Sequence, residues 1–245
     1  MSGSFKTEGI VLRSIRYGEA DRILHLYTAD RGRVNAIAKG SRRPKSRFGG
    51  RLEPFFRLHL MLYEGRSDLC TVTGAATVDG YPHLRSDGAA LDSAARACDA
   101  VLRLLDSTDP NRPAYNLLCR YLALLEEGSA ADAADGGPDP RALGLAFRLK
   151  LALAAGFSPE LTSCARCGER EGIVAFSGSS GGVVCASCEG GGFPLSREAH
   201  DFMVAALGRP IAELPAAPQG ALRQVERAIG DTLSHHAHVN LRSVA

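Results

Sequence analysis

The chain contains no tryptophan, and Phe, Tyr and Trp together make up only 6% of its 245 residues. A surface that stacks bases or cages a ligand must therefore draw on 9 Phe, 6 Tyr and 7 His. No apolar stretch reaches the ~20 residues that a membrane-spanning helix needs. The most apolar one, residues 143–155, carries Arg148 and Lys150 inside it, so no membrane partner is expected. The N-terminal MSGSFKTEGIV has Lys6 and Glu8 where a secretory signal would need an unbroken apolar run, and the expected location is the cytoplasm. Signature sequences of the common catalytic folds are missing too: there is no Walker A loop, no G-x-G-x-x-G after a strand, no H-E-x-x-H and no G-x-S-x-G. Missing motifs do not exclude catalysis, but the expectation is a protein that is not an enzyme. What is present, 45% hydrophobic and 23% charged residues, is ordinary globular material and excludes disorder, collagen and coiled coil.

The net charge of +2 hides an asymmetry. Residues 1–80 hold 14 Lys/Arg against 8 Asp/Glu, and the remainder holds 15 against 19. Lys39, Arg42, Arg43, Lys45, Arg47 and Arg51 fall in one run, KGSRRPKSRFGGR, that contains no acid at all. Such a run repels itself and is relieved by a polyanion, or else is a solvated loop that contacts nothing.

Residues 4–80 alternate in a β rhythm. In PFFRLHLMLYEG, Phe56, Leu58, Leu60 and Leu62 share one face, while Phe55, Arg57, His59, Met61 and Tyr63 share the other. Similar short runs at 6–15, 22–28, 33–39 and 69–78 make five strands with no helix-length pattern between them. The five-stranded OB-fold barrel suits that count, with an SH3-like barrel as the near competitor. After Tyr81-Pro82 the period becomes helical: Leu91, Ala94, Ala95, Cys98, Val101, Leu102 and Leu105 mark a stripe, with Ser86 and Asp87 as cap candidates. A second helix is expected over 114–126, and GSAADAADGGPDP is a linker ending in the cap pair Asp139-Pro140. Residues 141–155, apolar nearly all round and stopped by Gly156, read as the buried centre of a helical domain. A last helix, 219–236, turns Leu222, Val225, Ile229 and Leu233 inward. The expected organisation is α+β: a barrel domain over 1–80, then a helical domain over 81–245 into which a cysteine module at about 161–192 is inserted.

Seven cysteines in a reducing compartment, an odd number, speak against disulfides. Cys70, Cys98 and Cys119 sit in strand or helix patterns and are expected in the core. The other four form CARC and CASC: Cys164 and Cys167, then Cys185 and Cys188 after seventeen intervening residues. That spacing is the pattern of a four-cysteine zinc site, in which each two-residue gap turns both sulfurs toward one metal. Neither pair opens a thioredoxin-like βαβ unit, the context of a redox CxxC. Four thiolates close the tetrahedron, so one structural ion is expected. His235, His236 and His238 trail the last helix and read as a frayed end rather than as ligands, with His236 close to the apolar stripe.

The order of these parts resembles the bacterial RecO family of recombination mediators. The wording of residues 7–69, TEGIVLRSIRYGEADRILHLYTADRGRVNAIAKGSRRPKSRFGGRLEPFFRLHLMLYEGRSDL, is similar to that family's N-terminal signature, and the cysteine spacing fits its zinc-containing members. The resemblance implies a DNA repair protein that binds single- and double-stranded DNA, anneals complementary strands, and works with RecR and the single-strand-binding protein SSB to load RecA, in the cytoplasm and on the nucleoid. A zinc-stabilised nucleic-acid-processing enzyme with an unrecognised active site is the competing reading. For DNA contact, the expected residues are Lys39, Arg42, Arg43, Lys45, Arg47, Phe48 and Arg51. Phe48 inside the basic run, with Phe55 and Tyr63 on the mixed strand face, are the expected base stackers, and packing is the equal alternative for Phe55. Phosphate grip is expected to outweigh stacking.

Overall fold

The computed structural model describes residues 3–130 and 139–244. The chain divides into two compact units, 1–132 and 133–245. The change of period near residue 80 marks the end of the barrel, and the unit that contains it runs on through three helices.

The first unit opens with β1 (Gly3–Tyr17), β2 (Asp21–Thr28), β3 (Gly32–Ala38), β4 (Arg57–Glu64) and β5 (Cys70–Asp79). Their order, β1-β2-β3-β5-β4 with β4 returning to β1, closes a five-stranded barrel of OB type. β1 serves two partners, β4 with its first half and β2 with its second, and a register shift between Val11 and Arg13 lets it bend from one to the other. The parallel seam between β3 and β5 consists of two residue pairs, Ala36 with Cys70 and Ile37 with Thr71. Alternation delivers Val11, Leu24, Leu26, Val34, Ala36, Leu58, Leu60, Leu62 and Val72 to the core. On β4 the expected faces hold, with His59, Met61 and Tyr63 outside. The strand begins at Arg57 because Phe55 takes a left-handed backbone, φ 75°.

Three helices follow: α1 (Pro82–Ser86), α2 (Gly88–Leu104) and α3 (Arg112–Ala130). Asp87 caps α2 by accepting from Ala89 N at 2.8 Å and Ala90 N at 3.3 Å. The face that α2 buries is Ala90, Ala94, Ala97, Cys98, Ala100, Val101 and Leu104. Leu91 and Ala95, expected on that stripe, are exposed, and Leu102 and Leu105 are half-buried. Small alanines let the helix lie close on its neighbours, which turns the buried face away from the leucines that a hydropathy pattern weights most. Cys98 is fully in the core, while Cys70 and Cys119 are partly buried. Gly32, at φ 52°, is forced by crowding: a Cβ there would stand 2.3 Å from Asp109 O.

In the second unit, α4 (Pro140–Ala154) is capped by Asp139, which accepts from Arg141 N at 2.9 Å. Every residue from Ala142 to Leu149 is buried, as an all-round apolar helix requires. Arg148 is among them, donating to the carbonyl of Arg242. Helices α5 (Arg197–Gly208) and α6 (Gln219–His236) pack on α4, and α6 buries Leu222, Val225, Ile229 and Leu233 as expected. Between α4 and α5 lies a small sheet, β6 (Ile173–Ser177), β7 (Gly182–Cys185) and β8 (Phe193–Pro194), in the order β7-β6-β8. Most of the expected linker, residues 131–138, lies outside the described residues. No described helix is long and apolar enough to cross a membrane.

Candidate metal centre and nucleic-acid interface

The two CxxC turns are built differently. In the first, Cys164 N donates to Glu169 O at 2.7 Å and Gly168 N to Cys164 O at 2.8 Å, and Gly168 has φ 79°, the left-handed backbone that closes the turn. In the second, Cys185 ends β7 and a short 3-10 helix, Ala186–Cys188, brings Cys188 round. The chain entering the module is laid against β7 at Glu160, which bonds to Gly181 and Val183 through its backbone. Gly182 makes that approach feasible, since a Cβ there would meet Glu160 O at 2.2 Å. The Glu160 carboxylate then accepts from Thr162 N at 2.7 Å and Ser163 N at 3.1 Å, fixing the approach to Cys164.

These turns bring one sulfur each from Cys164, Cys167, Cys185 and Cys188 to within 4.8 Å of one another, and the sulfurs of Cys167 and Cys185 stand 3.7 Å apart. A tetrahedral site with metal–sulfur bonds of about 2.3 Å has edges of about 3.8 Å, so the donor set fits a thiophilic ion. The backbone N–H of Cys185, helped by those of Arg166 and Cys167, holds the Cys164 thiol down at about 6. The Cys167 sulfur pushes Cys188 up to about 12. Four thiols so close cannot all ionise unaided, and the cluster could hold a metal ion that offsets their charge. It is the only metal-capable group of its kind among the described residues. The C-terminal histidines stay outside it: His236 Nε2 donates to Gly178 O at 2.8 Å, pinning α6 to the turn after β6.

On the barrel, residues 39–51 lie between β3 and β4 as a succession of tight turns, with Arg43 N donating to Gly40 O, Ser46 N to Arg43 O and Arg51 N to Phe48 O. Lys39, Arg42, Arg43, Lys45, Arg47 and Arg51 are all exposed. None of the six has an acidic partner among the described residues, whereas Arg13, Arg22, Arg31 and Arg57 of the same barrel are paired with Asp99, Glu53, Glu64 and Glu8. The loop's guanidiniums donate to carbonyls: Arg42 to that of Gly18 at 3.3 Å, Arg47 to that of Val72 at 3.5 Å, Arg51 to that of Arg47 at 3.3 Å. Arg42 N also donates to Ala20 O at 2.8 Å, and Gly40 N to Asp21 Oδ1 at 2.7 Å. The cationic loop is thereby fastened to the β1–β2 turn with its charge intact.

Phe48 is not where a stacker must be. It is 2% exposed and shares the barrel core with Leu52. A closed barrel of short strands needs its interior filled, and the loop supplies these two side chains; the gain from burying an aromatic ring outweighs what an exposed one would offer. Arg47 lies over the Phe48 ring, its guanidinium carbon 4.9 Å from the centroid. Phe55 is also buried, at 7%, and Tyr63 is 42% exposed. Tyr17, which pattern reading passes over, ends β1 54% exposed, next to the turn that Arg42 holds. The one signal in the sequence is its place beside Gly18 at a strand end.

Two family models cover nearly the whole chain: Recombination protein O N terminal matches residues 1–81, and Recombination protein O C terminal matches residues 85–245. The chain belongs to the RecO family. The RecO protein of Rubrobacter xylanophilus, described as a DNA repair protein, is 39% identical over 235 residues, covering 95% of this chain and 90% of that one. RecO of Anaeromyxobacter sp. strain K is 37% identical over 241 residues, 94% and 91% of the two chains. RecO of Bifidobacterium animalis subsp. lactis is 38% identical over 183 residues, 74% and 72%. The boundary between the two RecO models falls between residues 81 and 85, where the barrel gives way to α1, so the loop belongs to the first and the cysteine centre to the second.

Proposed function

We propose that the protein is a DNA-binding recombination mediator that works without catalysing covalent chemistry. The observation that carries this reading is the run of six exposed cations without acidic partners on an OB-type barrel, a polyanion surface on a fold whose outer face suits oligonucleotides. Residues 1–80 are the nucleic-acid-binding domain. Lys39, Arg42, Arg43, Lys45, Arg47 and Arg51 grip phosphates of single- and double-stranded DNA, and Phe48 supports them from beneath. Because the grip is chiefly to the backbone, most bases of a held strand stay open to a complement, which is what annealing requires.

The cysteine module belongs to the second unit, with helices α4, α5 and α6, and the ion held by Cys164, Cys167, Cys185 and Cys188 is zinc. Bound there, zinc supplies folding energy, since four protein ligands leave no position for water or substrate. Membership of the RecO family supports a place in recombinational repair, with RecR and SSB as partners and RecA loading as the outcome, in the cytoplasm and at the nucleoid. The test is a strand-annealing assay without nucleotide or added divalent metal. Accelerated annealing of complementary strands that remain chemically unaltered is expected. Cleaved or otherwise covalently altered DNA would instead favour a zinc-stabilised nucleic-acid-processing enzyme.

A further inference from the structure

The outside of the barrel at the end of β1 carries an apolar row that the cationic loop does not account for. Strand register sets Ile15 opposite Ile23 and Ile23 opposite Ile37, so three isoleucines on three adjacent strands share one face. That face points outward, because the next residue of β2, Leu24, is in the core. Tyr17, two residues beyond Ile15, shares it. Ile15 is 43% and Tyr17 54% exposed, while Ile23 and Ile37 are half-buried. One end of the face is closed by α2, where Arg13 meets Asp99 at 3.4 Å. Beside the isoleucines, His25 and Asn35 satisfy each other at 2.7 Å. The other end is open, and there Tyr17 adjoins Gly18 and Ala20, whose carbonyls hold Arg42. The Tyr17 hydroxyl has no hydrogen-bond partner among the described residues.

We propose that Tyr17 and the Ile15–Ile23–Ile37 row form a platform for nucleobases of single-stranded DNA, with Tyr17 stacking on a base whose phosphates lie in the cationic loop. The inference rests on the reading of residues 39–51 as a phosphate grip, and it adds what that grip lacks, a way to tell single strands from duplex. An exposed aromatic ring stacks on any base, but only a base outside a duplex has a free face. The charge beside the platform selects its occupant. An apolar face next to acidic-partner-free arginines suits a ligand that is apolar on one side and anionic on the other, as an unpaired nucleotide is.

The test uses the full-length protein and three probes of equal length: oligothymidylate, an abasic strand with the same phosphates, and a duplex. Tyr17→Ala is expected to weaken oligothymidylate binding by about 5- to 100-fold and to leave the abasic strand and duplex unchanged, while Tyr17→Phe binds as wild type. Wild-type affinity of Tyr17→Ala for oligothymidylate, or an equal loss on the abasic strand, overturns the platform. Because the chain has no tryptophan, Tyr17→Trp adds a direct reporter whose emission is quenched by oligothymidylate but not by the abasic strand. Emission unchanged at saturating oligothymidylate overturns the proposal whatever happens to the alanine variant. The underlying reading fails separately: Arg42→Ala with Arg43→Ala would then bind all three probes as wild type does.

Discussion

The sulfurs of Cys167 and Cys185 stand 3.7 Å apart, although the two residues are eighteen positions apart in the chain. An ion bound between them would add order that the Gly-rich turns and the small buried cluster of Cys164, Ala175, Val184 and Cys185 do not supply alone. Purified, reduced protein is expected to carry about one zinc per chain, and Cys167→Ser to lose it and unfold the module, since such an ion contributes about 10 kcal/mol or more. Cys98→Ala, a change in the core of α2, leaves the metal in place. Metal analysis beside thermal melting checks both, and protein that keeps its zinc with Cys167 replaced would refute the assignment.

DNA affinity is expected to fall steeply with salt. Four to six phosphates neutralised by the loop give a log–log slope of roughly −4 to −5 on duplex. Replacing Arg42, Arg43 and Lys45 together by alanine should flatten it by about 3, equally for any sequence, and an unchanged slope would move the DNA site elsewhere.

Phe48→Ala is expected to act on stability rather than on stacking, at a cost of about 3–5 kcal/mol from the cavity left in the barrel. Arg42→Ala at the exposed surface should change stability by no more than about 0.5 kcal/mol. Denaturant titration separates the two. A Phe48→Ala variant as stable as wild type, with annealing lost, would restore the ring as a DNA contact.

Glu8 accepts from Arg57 Nε at 2.6 Å and from the Tyr115 hydroxyl at 2.8 Å. Burial alone would raise its pKa, but these hydrogen bonds outweigh burial and hold it below the ordinary 4.5. In the second unit Glu226 is lowered likewise, burial being overcome by Ser243, the Val244 amide and Arg141. A carboxylate with a lowered folded pKa stabilises fully above its unfolded value and loses that contribution as pH falls through the folded one. Both units should therefore weaken as pH drops below about 4.5. Glu8→Gln, costing about 1–2 kcal/mol at neutral pH, should make the first unit less sensitive to acid. Melting temperatures across that range decide it.

The sequence revealed what rests on local spacing. The cysteine quartet was visible because a four-thiolate site dictates a two-residue gap, and the barrel because period-2 alternation runs through Leu58, Leu60 and Leu62. What depends on closure was hidden. Phe48 sits in a polar, cationic run, and only the completed barrel shows that its ring fills the interior. On α2 the leucines carried the hydropathy signal while the alanines made the contact. Tyr17 gains meaning from Arg42, twenty-five residues on, which reaches the carbonyl of the neighbouring Gly18 only after folding.

The barrel is held shut between β3 and β5 by Ala36 with Cys70 and Ile37 with Thr71, while its other seams run along most of a strand. This shortest seam is expected to open first, and deuterium should enter the amides there before it reaches the β1–β4 ladder. The cationic loop leaves the end of β3 and touches β5 through Arg47 and the Val72 carbonyl, so it straddles the same gap. A nucleic acid strand lying along that loop would bridge the seam from outside and should slow exchange there, which would make the barrel's shortest seam a gauge of whether the strand is held.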